Sequence, residues 1–230
     1  MSIITDLTRM WLTRSTRPFT FTNEYDSVLK FEDCESLGLY VHIPFCKSIC
    51  NFCPYCKVVY SKEKCDRYVD TLLKEIHMVG GQQGAVGDEE ALMKKKVTSL
   101  YFGGGTPVLV LDRLGEIIDA LKEHFEITEG IGLELHPDNV TVETLAELKK
   151  IVVTKISIGI QSFVEKYQTI LGRKLVDIEA MAAALKAVPF ETVSMDFIFA
   201  LPGQTYEDLQ RDIELAFTNG ANHVAIYPFI

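Results

Sequence analysis

Two hydrophobic rhythms alternate along the chain. Short apolar runs, rich in β-branched and aromatic residues, are separated by stretches in which apolar positions recur every three or four residues. The runs "LGLYVHIPF" (37–45), "VTSLYFGG" (97–104), "GIGLELHP" (130–137), "KISIGIQSF" (155–163), "TVSMDFIFALP" (192–202) and "NHVAIYPFI" (222–230) predict six strands. Between them, "KCDRYVDTLLKEIHMV" (64–79) has helical spacing, with Tyr68, Leu72, Leu73 and Ile76 on one face. "LDRLGEIIDALKEHF" (111–125), "TVETLAELKKI" (141–151), a stretch reaching about residue 188, and "YEDLQRDIELAF" (206–217) continue the pattern.

Apolar strands alternating with helices imply a parallel sheet covered by helices. An open doubly wound sheet and a barrel or part-barrel both fit this pattern. In either, ligands gather at the carboxyl ends of the strands. The sequence places "PFC", "GGGTP", "ELHP", "QSF" and "LPGQT" at the ends of strands one to five. The pattern stops on the sixth strand, so the sequence is expected to be a fragment of something longer. Residues 1–36 read as an N-terminal extension and 37–230 as the barrel domain. "GGQQGAVGDEE" (80–90) is the one loose stretch and reads as a surface loop.

Composition narrows the function classes. At 230 residues the chain can bury one sizeable core, and 47% of it is hydrophobic. A net charge of −9 argues against nucleic acid as a partner. No apolar run is long enough to span a membrane. The start, "MSIITDLTRMWLTRSTRPF", has no uninterrupted apolar core of a secretory signal, so a cytoplasmic protein is expected. Clustered cysteines without such a signal point to metal or catalysis rather than to disulfides.

Four of the six cysteines fall in "CKSICNFCPYC" (46–56). The spacing is C-x3-C-x2-C-x2-C. A structural zinc site usually joins two CxxC pairs across a longer loop. "CPYC" alone resembles a dithiol pair at a helix N-terminus. Three cysteines at C-x3-C-x2-C after a first strand suit an iron–sulfur cluster with one iron left open. The residues rank these readings iron–sulfur, zinc, dithiol.

"LYVHIPFCKSICNFC", "YFGGGTP", "ISIGIQSF", "LGR" and "MDFIFALPGQT" occur in the order found in radical S-adenosylmethionine (SAM) enzymes. More narrowly, they resemble oxygen-independent coproporphyrinogen III oxidases and the related haem chaperones, over roughly 37–230. The resemblance implies a six-unit (βα) part-barrel, α/β in class, truncated after its sixth strand. It implies Cys46, Cys50 and Cys53 as ligands of a [4Fe-4S] cluster, with SAM chelating the fourth iron. Reductive cleavage would give a 5′-deoxyadenosyl radical that takes hydrogen from a substrate, here a tetrapyrrole such as coproporphyrinogen III. The alternative is a haem chaperone that keeps the cluster without porphyrinogen turnover. An external one-electron donor, a flavodoxin or ferredoxin, is also implied.

The same resemblance assigns roles to single residues. Gly103, Gly104 and Gly105 would bring backbone close to SAM, with Thr106 adding a hydroxyl; a tight turn alone would use the same glycines. Glu134 would meet the SAM amino group and Arg173 its carboxylate. Gln161 and Asp196 would hold ribose hydroxyls, and a carboxylate inside "SMDFIFA" needs a partner in any case. Phe52 and Ile198 would flank the adenine. Tyr40 would sit near the sulfonium as the candidate catalytic residue; an ordinary core tyrosine is its rival. Arg9, Arg14 and Arg17 could meet substrate carboxylates.

Some positions depart from the family pattern. The gap from Cys53 to Cys56 exceeds that of the oxidases, and the chaperones commonly lack a fourth cysteine, so Cys56 reads as a bystander. Ala200 replaces a usual glycine and His136 a common asparagine. His136 is expected to cap the strand end. Cys34 and Cys65 read as buried or half-buried thiols, and His77 and His124 as surface or packing residues.

Overall fold

A computed structural model describes residues 34–81 and 94–229. Six long strands are β1 (Leu37–Ile43), β4 (Lys95–Gly104), β6 (Ile131–Leu135), β7 (Val153–Gln161), β8 (Thr192–Phe199) and β9 (His223–Pro228). They pair in that order and are parallel throughout. The order never reverses. A doubly wound sheet needs a reversal, so sequential addition selects the half-barrel. Three short strands accompany it: β2 (Phe45–Cys46), β3 (Val58–Val59) and β5 (Phe125–Ile127).

Among the described residues, six α-helices make the crossovers and the flanking turns: α1 (Lys62–Gly80), α2 (Leu111–His124), α3 (Val142–Lys150), α4 (Glu165–Ile170), α5 (Ile178–Ala187) and α6 (Tyr206–Thr218). Their starts are chemically marked. Thr141 and Asp177 accept from the Thr144 and Ala180 N–H groups, and Thr205 forms a reciprocal capping box with Asp208. Gly80 closes α1 rather than opening a loop, which shortens the predicted loose stretch. The rest of that stretch, the 1–33 part of the extension and the three arginines lie outside the described residues.

The core lies between the sheet's convex face and the helices. Val41, Ile43, Leu100, Phe102, Leu133, Ile156, Ile158, Met195 and Phe197 point into it from the strands, against Leu114, Ile117, Leu145 and Leu148 of the helices. The intervening positions point to the concave side and include Tyr40, His42, Tyr101, Glu134, Ser157 and Asp196. The strands therefore alternate, as one-sided burial requires, although most read as apolar runs. This alternation turns the concave face into a polar floor.

Candidate cofactor site

The cysteine loop is closed by a small ladder. β2 pairs with β3, aligning Phe45 with Val58 and Cys46 with Val59. Tyr60 N–H donates to Cys46 O at 2.9 Å, and Val58 N–H to Pro44 O at 2.7 Å. The loop is also docked on the glycine turn: Gly105 N–H donates to Ile43 O at 2.8 Å and Thr106 N–H to Phe45 O at 2.7 Å. A Cβ on Gly105 would stand 2.4 Å from Phe45 O and 2.9 Å from Cys46 Sγ, so only glycine fits. Gly104 has φ of 114°, the conformation that glycine alone adopts freely, and its open α-carbon faces the His42 ring. Gly103 faces Glu134 and Tyr40, whose side chains would have to shift to admit a Cβ there.

Cys46, Cys50 and Cys53 are half-buried free thiols around this turn. Burial pushes the Cys46 thiol up, while a hydrogen bond with the Thr106 side chain favours its thiolate; Cys50 and Cys53 are near enough to add like-charge repulsion. Four-sulfur zinc sites hold sulfurs roughly 3.8 Å apart, from Zn–S bonds of about 2.3 Å. Among the described residues, no three cysteine sulfurs lie within 4.8 Å of one another. The thiols are therefore not set at the spacing of a single tetrahedral ion. The dithiol reading loses its physical basis as well. α1 begins at Lys62, so "CPYC" is not at a helix N-terminus. Cys56 is exposed, and its carbonyl accepts from His42 Nε2 at 3.1 Å.

That bond fixes the His42 tautomer. A carbonyl only accepts, so Nε2 carries a proton, and in the neutral ring Nδ1 is the acceptor for the Tyr40 hydroxyl at 3.1 Å. Tyr40 is 58% exposed and stacks on Tyr101 at 6.4 Å between centroids. It is therefore no core tyrosine; it belongs to the polar floor. Burial pushes the Tyr40 hydroxyl up, and Glu134 and Tyr55 add to that.

The remaining predicted residues occupy neighbouring strand ends. Glu134 Oε2 accepts from Gly104 N–H at 3.0 Å; burial raises its carboxyl and this bond opposes the rise. Gln161 holds a left-handed φ of 72° at a register shift between β7 and β8. Such a kink re-aims a side chain. Its Nε2 lies over Gly159, where a Cβ would stand 2.9 Å away. Arg173 Nη1 donates to Gly159 O at 2.6 Å. Burial pushes the Arg173 guanidinium down, and the charges of Cys50, Asp138 and Cys46 oppose that; a Cβ on the preceding Gly172 would stand 3.2 Å from Asn51 Nδ2 in the cysteine loop, so the Arg173 turn meets that loop.

Asp196 has the partners its burial demands. Ser157 Oγ donates to it at 2.8 Å and Ser194 Oγ at 3.2 Å, and burial still raises its carboxyl. Phe52 and Ile198 meet in one small apolar cluster with Tyr167, Leu171 and Leu201, apart from the main core. His136 caps its turn as expected, accepting from Asp138 N–H at 3.2 Å. Burial and nearby Arg173 lower its imidazole to about 4. Cys65 is buried, but Cys34 is exposed, contrary to expectation, on the short irregular lead into β1. His77 and His124 lie against each other at the surface.

The sequence did not single out His42, Tyr101, Ser157 or Ser194. Each is one polar or amphipathic letter within an apolar run, and period-two alternation was the available signal. It also missed Asp212, a fully buried carboxylate that accepts from Ser162 Oγ at 2.7 Å and Phe163 N–H at 2.8 Å, tying the "QSF" turn to α6.

A family model described as the Radical SAM superfamily matches residues 40–216. The chain belongs to the radical SAM superfamily. Superfamily members use a [4Fe-4S] cluster and SAM. Among its relatives, the heme chaperone HemW of Lactococcus lactis is 31% identical over 83% of this chain and 48% of its own length. The oxygen-independent coproporphyrinogen III oxidase of Escherichia coli is 32% identical over 74% of this chain and 37% of its own. Among solved structures, the coproporphyrinogen III oxidase HemN of Escherichia coli, titled a radical SAM enzyme, superposes with a TM-score of 0.73 at 26% identity, over 85% of this chain and 44% of that one. The radical SAM methyltransferase TsrM of Kitasatospora setae shares the fold at a TM-score of 0.54 and 12% identity. This radical SAM chain spans about half the length of the first curated relatives it matches. No described helix is long and apolar enough to cross a membrane.

Proposed function

We propose that this chain holds a [4Fe-4S] cluster on Cys46, Cys50 and Cys53 and binds SAM along the adjoining strand ends, for radical chemistry on a tetrapyrrole of the coproporphyrinogen class. When bound, the pair would supply reductive cleavage chemistry: one electron from the reduced cluster would enter the sulfonium C–S bond, releasing methionine and a 5′-deoxyadenosyl radical able to take a hydrogen atom from substrate. The supporting observation is the docking of Cys46 on Gly105, with Glu134 on the same turn and the Gly172–Arg173 turn against Asn51 of the cysteine loop. A methionine zwitterion needs one carboxylate and one cation, close to the cluster, and this rim offers both.

The other residues have complementary tasks. Asp196, preoriented by two serines, and the Gln161 amide would accept and donate to ribose hydroxyls. Phe52 and Ile198 would cover the adenine faces. Tyr40, with its proton directed to His42, would line the reaction space and exclude water. A flavodoxin or ferredoxin class donor would deliver the electron. A second reading is supported by the HemW relatives: a chaperone that keeps this site while it carries haem.

Anaerobic reconstitution tests the first step. Four irons per chain, a brown absorption that bleaches on reduction, and 5′-deoxyadenosine formed from SAM are the expected results. A colourless, iron-free chain overturns the reading. Haem titration set against coproporphyrinogen turnover separates enzyme from chaperone.

A further inference from the structure

Helices α1 and α2 pack side by side and end together. From there α2 runs directly into β5, which pairs with Lys95, Lys96 and Val97 at the start of β4. This end is therefore opposite the cysteine loop. At it, His77 Nδ1 and His124 Nε2 face each other at 3.0 Å, and Glu123 Oε2 lies 3.7 Å from His77 Nδ1. Among the described residues, these three form the one group of three ligand atoms within 4.8 Å of one another.

The local backbone is arranged for that meeting. Gly80 lies one turn beyond His77, on the same helix face. A Cβ there would stand 2.2 Å from His124 Cγ, so only glycine leaves space for the second ring. Gly80 is the last residue of α1, where glycine is tolerated, so the helix can end without crowding the ring. Both helices also direct their carboxyl ends here, and the partial negative charge of those ends favours a cation.

The spacing suits one ion. Tetrahedral zinc, with bonds of about 2.0–2.1 Å to nitrogen and oxygen, separates neighbouring ligand atoms by roughly 3.3–3.4 Å. The two separations here fall on either side of that value. Without an ion, the rings share one N–H as a hydrogen bond. Moving this proton to the other nitrogen of its own ring turns both facing lone pairs towards an ion.

We propose that His77, Glu123 and His124 form a site for a divalent transition metal of the zinc class, with water in the fourth position. The site clips α1 to α2 at the end of the half-barrel remote from the cysteines. This proposal is independent of the cluster reading.

Cobalt(II) titration of the chain, as isolated and after anaerobic cluster reconstitution, tests the site. We expect one equivalent in both preparations, with the visible bands of tetrahedral cobalt bound by nitrogen and oxygen. Bands from cysteine-bound cobalt carry near-ultraviolet thiolate charge transfer, so they report separately on the other site. His77→Ala and Glu123→Gln, both at exposed side chains, should weaken binding at least tenfold, and zinc should raise the thermal midpoint of the parent chain but not of His77→Ala. Cobalt bands that persist in His77→Ala, or bands that always carry thiolate charge transfer, would overturn the proposal.

Discussion

Glu134 Oε2 accepts the Gly104 N–H at 3.0 Å, tying the end of β6 to the middle of the glycine turn. Glu134→Gln keeps an oxygen for that bond and removes the charge. Hydrogen bonds to charged groups contribute about 1.5–3 kcal/mol, and each 1.4 kcal/mol is tenfold. The variant should retain its iron and bind SAM roughly ten- to a hundredfold more weakly in equilibrium dialysis. Unchanged affinity would remove Glu134 from the amino-group role.

The cysteines separate cleanly by variant. Alanine at Cys46, Cys50 or Cys53 should abolish iron retention after reconstitution, since three thiolates leave none to spare. Cys56→Ala should hold as much iron as the parent chain. Iron analysis with visible absorption reads both outcomes, and loss of iron in Cys56→Ala would reassign the ligand set.

Ala200 has φ of 64°, in the left-handed region. That conformation costs a side-chain-bearing residue roughly 1–2 kcal/mol, against the roughly 0.5–1 kcal/mol by which glycine favours the unfolded chain. Ala200→Gly should therefore stabilise by about 0.5–1 kcal/mol, a rise of about 1–4 °C in Tm for a domain of this size. A lower Tm would show that the methyl group packs to better effect than the backbone strains.

His136 gives stability a pH dependence. Its folded value is lowered from 6.5 to about 4, so between those values the unfolded chain binds a proton that the folded chain refuses. Its contribution is complete above 6.5 and is lost as pH falls towards 4. Each pH unit in that window is worth at most about 1.4 kcal/mol. From pH 7 to pH 5 the parent chain should lose about 2 kcal/mol relative to His136→Asn in urea unfolding. Parallel losses in both proteins would show that His136 titrates normally.

Much of the half-barrel was legible because its strands are built from Val, Ile and Phe and its helices keep a 3.6-residue period. Periodicity does not encode the order of strands, so the choice between doubly wound sheet and half-barrel waited for the pairing of β1 with β4 and β4 with β6. The cysteine loop and glycine turn were legible because both are dense in chemically unusual residues. The floor was not. His42, Ser157 and Ser194 become a set only when curvature decides which face of each strand is concave. The left-handed φ of Gln161 was equally hidden, because the residue carries no glycine-like mark.

The segment from Ile43 to Tyr60 is stitched on one flank to Gly105 and Thr106 and on the other to its own return strand. Gaining or losing one residue within 43–46 would shift the stitching on both flanks at once, whereas residues 47–57 bulge between the two rows and can change length without disturbing either. Length variation in this segment is therefore confined to the bulge that carries the later cysteines. Anyone grafting this chemistry onto another half-barrel would have to move residues 43–60 together with 103–106, as one indivisible cassette.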